Sequence, residues 1–179
     1  ARQLAEYRDS LGNTFFSEKA AAVDQPAPPV ARDAGALQLL VGDTLDLGGT
    51  LRLDADPGDP SNPEDDGRGG RLDLSAERLR IVEAVSGVAD DIVEVAASVL
   101  NRIAADSVLL GGTRTVLPDR TEIAPAASTV EIAGGLDLSG SEFLLLAREQ
   151  VTIADNARLQ SSGAASNEPG GPLLITGST

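Results

Sequence analysis

The residues best suited to chemistry in this chain are carboxylates, and they fall into two groups. The first is Asp54, Asp56, Asp59, Glu64, Asp65 and Asp66, within the run DADPGDPSNPEDDGRGG at 54–70. Clustered carboxylate oxygens are what a hard cation such as calcium takes. The spacing departs from an EF-hand loop: Gly58 stands where a third alternating ligand belongs, and Asp59 where the invariant glycine belongs. No glycine-rich nonapeptide calcium repeat occurs. Proline and glycine among the acids make the run a poor strand and a poor helix. The expectation is a solvated loop in which Asp54, Asp56, Asp59, Asp65 and Asp66 are the calcium candidates.

The second group is Asp137, Glu142 and Glu149. Paired carboxylates act as acid and base in sugar-cleaving enzymes, and these three stand among alternating residues able to share one face. Outward acids on a solvated strand give the same pattern. With 2% aromatic residues and no Trp, the chain has almost no platform for a sugar ring. Histidine is absent, which removes Ser-His triads and His bases or ligands. Cysteine is absent, which removes thiol nucleophiles, disulfides and the usual structural zinc. Gly111-Gly112-Thr113-Arg114 lacks the lysine of a phosphate-binding loop and reads as a turn. We expect no catalytic residue, no cofactor and no enzyme activity.

The elements that carry these acids are short alternating runs. They are clearest in GGLDLSGSEFLLLAREQVTIADNARLQSSG, residues 134–163. Alternation gives each run one inward and one outward face, and each is too short to bury its apolar stripe alone. Stacking successive turns of chain resolves this, as in a parallel β-solenoid. The expected inward face includes Leu136, Leu138, Phe143, Leu145, Val151, Ile153 and Leu159. An acid placed at Leu138 or Ile153 is therefore expected to unfold adjoining turns.

The same period appears at Leu37/Leu39/Val41, Leu45/Leu47, Leu51/Leu53, Leu72/Leu74 and Leu79/Ile81. It continues through Thr115–Leu117, Glu122–Ala124 and Thr129–Ile132 and ends in a last strand at Leu173–Thr176. Residues 90–110 fit helix and strand alike; we assign strand to 92–97, a helical turn to 99–105 and strand to 107–111. Residues 1–24 form a separate extension. Leu4, Tyr7 and Leu11 predict an amphipathic helix over 2–11, and three of the four aromatics lie before residue 17, suited to docking or capping. Residues 25–35 are a Pro-rich connector. Residues 36–179 are the stacked segment, interrupted by loops at 54–70 and 161–171.

A net charge of −14 opposes nucleic acid and anionic membranes as partners. No run approaches the roughly 18 apolar residues of a spanning helix, and no signal peptide or lipidation motif is visible.

The segments GGRLDLSAERLRI, LNRIAADSVLLGGTRT and LLLAREQVTIADNARLQSSG resemble parts of the filamentous-haemagglutinin-like exoproteins of two-partner secretion systems. The most specific stretch is 106–114, DSVLLGGTR, and the resemblance covers residues 36–179. It implies an all-β, right-handed parallel β-helix, secreted to the bacterial cell surface as an adhesin shaft. The partners implied are other segments of the parent exoprotein and a host-cell receptor or glycan. That family's secretion domain carries an Asn-Pro-Asn-Gly-Ile-type motif that this sequence lacks, so the resemblance implies an internal or C-terminal piece and carries over no receptor-binding residue. The alternatives are a polysaccharide-binding or polysaccharide-cleaving β-helix module, and an assembly or processing module that docks elsewhere on its parent.

Overall fold

The structure is a computed structural model of the chain and describes residues 19–24, 33–55, 67, 69–87, 91–162 and 173–176. The expected helix at 2–11, most of the connector and most of both loops lie outside the described residues.

The fold is mostly β and its sheets are largely parallel. The strands are β1 (Ala36–Val41), β2 (Gly70–Ala76), β3 (Arg78–Val82), β4 (Val93–Ala96), β5 (Ala105–Leu110), β6 (Gly112–Val116) and β7 (Thr121–Pro125). They continue as β8 (Thr129–Ile132), β9 (Asp137–Gly140), β10 (Phe143–Leu145), β11 (Gln150–Ile153), β12 (Arg158–Ser161) and β13 (Leu173–Ile175). A single helical turn, α1 (Ala97–Leu100), follows β4. The first sheet has the order β1-β2-β5-β10, the second β4-β3-β8-β11, and the third pairs β9 with β12. A fourth, β6-β7-β13, contains the antiparallel hairpin β6–β7.

Register explains why such short strands are stable. In the first sheet Leu37, Leu72, Val108 and Phe143 are successive partners, as are Leu39, Leu74, Leu110 and Leu145. In the second sheet Val95, Ile81, Ile132 and Ile153 align, beside Val93, Leu79, Val130 and Val151. Leu138 aligns with Leu159 in the third. Each aliphatic therefore lies on the one before it, and the columns join into one interior cluster. Aliphatic side chains fill most of these positions, and Phe143 is the one ring among them.

Turns between sheets are tight except at two places. Glu77 alone separates β2 from β3. At the equivalent place after β5, the hairpin β6–β7 is inserted. Its base closes where the amides of Ala126 and Ala127 both donate to the Gly111 carbonyl at 2.9 Å. Gly111 has φ +85°, and a Cβ there would meet the Leu146 carbonyl and Val130 Cγ2, so only glycine suits this corner. The hairpin covers the outer face of the first sheet. Leu109 and Ile123 are buried there, outside the interior cluster.

The second insertion is β4. After β3 the chain returns and runs parallel to β3 on the side towards β1. This accounts for a difference from the sequence reading: Leu45/Leu47 alternate as a strand does, yet 44–48 joins no ladder. β4 holds the edge of β3 that this segment would otherwise pair with. The helical turn also comes earlier than expected, at 97–100 rather than 99–105. It stops at Asn101, whose side chain takes up the edge of β9: Nδ2 donates to the Asp137 carbonyl at 2.9 Å and Oδ1 accepts from the Ser139 amide at 3.0 Å. One amide side chain thus makes the bonds that a missing neighbouring strand would make.

The expected core residues divide by position. Leu136 and Leu138 are buried, at 2% and 0% exposure. Phe143, Leu145 and Leu159 are half-buried against the cluster. Val151 and Ile153 are exposed, at 40% and 52%, and so differ from the expectation. They point along the interior columns, but β11 is the edge strand and no described residue lies over them. At the opposite end Val93 and Val95 are each 4% exposed, with the 44–48 segment lining the space beside β4.

Candidate functional site

Asp137, Glu142 and Glu149 do not converge. Asp137 begins β9 in the third sheet, Glu142 precedes β10 in the first, and Glu149 precedes β11 in the second. Asp137 faces Arg158 at 3.7 Å, with both side chains largely exposed. Glu142 accepts from the Ser107 hydroxyl at 3.2 Å. Glu149 is exposed, and its backbone amide donates to Ser128. The three acids thus stand at the starts of strands in three separate sheets.

Of the calcium candidates, Asp54 is described, and it is engaged by Arg52. The guanidinium donates to both carboxylate oxygens at 3.1 and 2.8 Å and holds the Asp54 carboxyl below the usual carboxylate range. Asp56, Asp59, Asp65 and Asp66 lie outside the described residues. Among the described residues no group of three acids is placed to hold a metal ion.

At the foot of the acidic loop lies a polar groove of about 370 Å³, lined by Asp54, Gly69, Asn101, Asp106, Ser139, Ser141 and Ser162 among others. Its shape follows from local structure. Gly69 donates its amide to Asp106 Oδ2 at 2.8 Å, which pins the loop's return against β5. Asn101 fixes β9 from one side, and the Ser161 hydroxyl donates to the Ser141 carbonyl from the other. Ser139, Ser141 and Ser162 line the groove, and no hydrogen bond joins their hydroxyls to another described residue. Hydroxyls and carboxylates at a solvated surface suit a hydroxyl-rich ligand, and no aromatic ring lines the groove. Sequence reasoning singled out Asp54 and missed the rest. No sequence signal grouped them: β5 and β9 share no ladder, and their outward polar positions meet only through the path of the chain between sheets.

Two further polar clusters hold the architecture. The first lies under the hairpin. Arg114 Nε lies 3.3 Å from Asp73 Oδ1, with both side chains less than a tenth exposed. The pair attracts by charge but is not aligned as a hydrogen bond, and neither atom has another partner; Ser75 Oγ beside them is also unsatisfied. Arg114 Nη2 donates to Ser107 Oγ at 2.9 Å. Desolvation raises the Asp73 carboxyl above its ordinary value, outweighing the nearby positive charges of Arg114 and Arg71. The second lies at the corner between the first and second sheets. The Ser128 hydroxyl donates to Glu77, and Arg148 Nη2 reaches both Glu77 oxygens at 2.6 Å. These bonds, the serine's first, lower the Glu77 carboxyl.

Among the described residues no helix is long and apolar enough to cross a membrane. Comparison of the chain with protein families, with curated proteins and with solved structures gives no match.

Proposed function

We propose that residues 36–179 are a segment of right-handed parallel β-helix serving as a non-enzymatic shaft in a large, secreted, filamentous-haemagglutinin-like bacterial surface exoprotein. The observation that carries this reading is the pair of four-deep aliphatic columns in strict register, which stack turn on turn and leave the last members, Val151 and Ile153, uncovered. Such an end suits continuation by further turns from another segment of the parent. A parallel crossover is right-handed in nearly all proteins, which favours that hand.

The second reading, a polysaccharide-binding module, is favoured by the hydroxyl-lined groove beneath 54–70. In this second reading the groove and loop are where a glycan is met; in the shaft reading contact is made by the loops 54–70 and 161–171 or elsewhere in the parent.

The test is binding of the purified chain, intact and lacking 56–68, to a glycan array and to cultured cells. Saturable binding lost with the loop makes the groove an adhesive site. Binding by neither form leaves a shaft that presents contacts made elsewhere. Release of reducing sugar from any polysaccharide, lost on changing Glu142 or Asp137, would overturn the non-enzymatic reading.

A further inference from the structure

We propose that the gap between the free edge of β4 and the segment 44–48 is a strand-acceptor site for an extended peptide of aliphatic–basic–aliphatic pattern, running parallel to β4. This inference is independent of the shaft reading.

The gap is a cavity of about 430 Å³ with 44–48 on one side and Glu94, Val95 and Ala96 on the other; it adjoins a second cavity of about 330 Å³, lined by Leu37, Leu39 and Leu51 of the first sheet and its continuation, and the two share Asp46, Leu47, Gly48, Val99 and Arg102 as walls. Each is of the size that ligand sites occupy. Among the described residues β4 is the last strand of the second sheet, and no described strand pairs with its outer edge. No backbone hydrogen bond joins 44–48 to it among the described residues. An unpaired parallel edge beside an apolar cleft is the geometry of β-strand addition, in which main-chain bonds give affinity and alternate side chains give selectivity.

The pattern of the occupant follows from the walls. Leu45-Asp46-Leu47 line one side of the larger cavity and Glu94-Val95 the other; with Val93, which is buried and lines neither cavity, the two stretches repeat the order aliphatic, acid, aliphatic. The aliphatics point inward and the acids outward, since Leu45 and Leu47 are half-buried while Asp46 is exposed. Along the outer face of the second sheet the charges already alternate: Glu131 pairs with Arg80 at 2.9 Å, and Arg80 is the register partner of Glu94. A strand entering the gap meets Glu94 on one side and Asp46 on the other. Opposite charges across neighbouring strands attract and like charges repel, so the matching residue is Lys or Arg. β3 itself, Leu79-Arg80-Ile81 between Val93-Glu94-Val95 and Val130-Glu131-Ile132, is the arrangement in miniature. Arg102 lies beyond α1, at the end towards which a parallel strand runs. Among the described residues it makes no side-chain hydrogen bond or ion pair, and it faces a carboxylate placed further along the guest.

The probe is a fluorescent heptapeptide of residues 77–83, Glu-Arg-Leu-Arg-Ile-Val-Glu, against the same peptide carrying Arg80→Glu. Affinity is read by anisotropy and location by amide hydrogen exchange on the full chain. We expect saturable binding with new protection confined to 93–96. The Arg80→Glu peptide binds about ten-fold more weakly or not at all. Asp46→Asn in the protein, which breaks no side-chain bond among the described residues, weakens the basic peptide by about two- to five-fold. Equal affinity for the two peptides, indifference to Asp46→Asn, protection at the β10 and β11 edges instead, or no saturation would each overturn the proposal.

Discussion

Ile132 and Ile153 are the same residue type in the same column, one strand apart, and differ only in what lies above them. Ile132 is 0% exposed between Ile81 and Ile153, whereas Ile153 is 52% exposed at the edge. Truncating a fully buried isoleucine to alanine loses its transfer energy and leaves a cavity, about 3 kcal/mol in sum. At Ile153 half of the side chain already meets water and no cavity can form, so the loss is about 1 kcal/mol. For a chain of this length these correspond to melting shifts of roughly 6–12 °C and 2–4 °C. Charge sharpens the contrast. Leu138→Asp buries a carboxylate with no partner and unfolds the chain, while Ile153→Asp leaves its carboxylate in water. Burial therefore separates two positions that the sequence reading treated alike: the expected outcome is unfolding for Leu138→Asp and a folded chain for Ile153→Asp. The assay is urea unfolding followed by far-UV circular dichroism at two protein concentrations. Equal losses for Ile132→Ala and Ile153→Ala at both concentrations would refute the reasoning, because Ile153 would then be covered within the monomer.

Three other outcomes follow from single contacts. Gly111→Ala should destabilise by about 2 kcal/mol or more, from positive φ together with contact against the Leu146 carbonyl, measured by thermal melting. Asn101→Ala removes both bonds to the β9 edge and should cost about 1–2 kcal/mol, with faster amide exchange at Ser139. The raised Asp73 carboxyl makes its contribution fully present below the ordinary aspartate value of about 3.9, and lost as pH rises through its higher folded value. Stability measured by urea midpoint should therefore fall across that window, and Asp73→Asn should flatten the fall. Glu77 has the opposite sign: its lowered carboxyl contributes above the ordinary glutamate value and loses that contribution as pH falls through its folded value.

The parts legible in the sequence were those set by period. Thr129–Ile132 and Gln150–Ile153 coincide with β8 and β11, because a two-residue alternation of branched aliphatics admits few other structures. Leu45-Asp46-Leu47 has the same local signal and forms no ladder, since pairing depends on which edge is free and β4 had already taken it. The exposure of Val151 and Ile153 was hidden for a related reason: side-chain direction is a local property and coverage is not. The groove was harder still. Asp106, Ser139 and Ser162 are separated along the chain and share a site only because successive strands of different sheets are brought side by side, while Asp137, Glu142 and Glu149 are close in sequence and stand on three different sheets because the chain changes sheet between them.

The two insertions divide the surface of the protein in a way that bears on its use. The hairpin β6–β7 covers the outer face of the first sheet and holds it with a buried charge pair, Asp73–Arg114, which is costly to desolvate and leaves unsatisfied atoms. An apolar pair of similar volume would pack at least as well by that reasoning. The cost is informative about register instead: an arginine that must meet one aspartate fixes the hairpin at one height on the sheet, whereas sliding leucines would not. β4, by contrast, leaves its own edge open and displaces 44–48. One insertion closes a face and the other opens an edge. The ends of the stack therefore differ in chemistry: acids flank the gap at β4, while neutral Thr152 lies between exposed aliphatics at β11. A partner that reads charge is directed to the first end, and one that only continues an apolar column to the second.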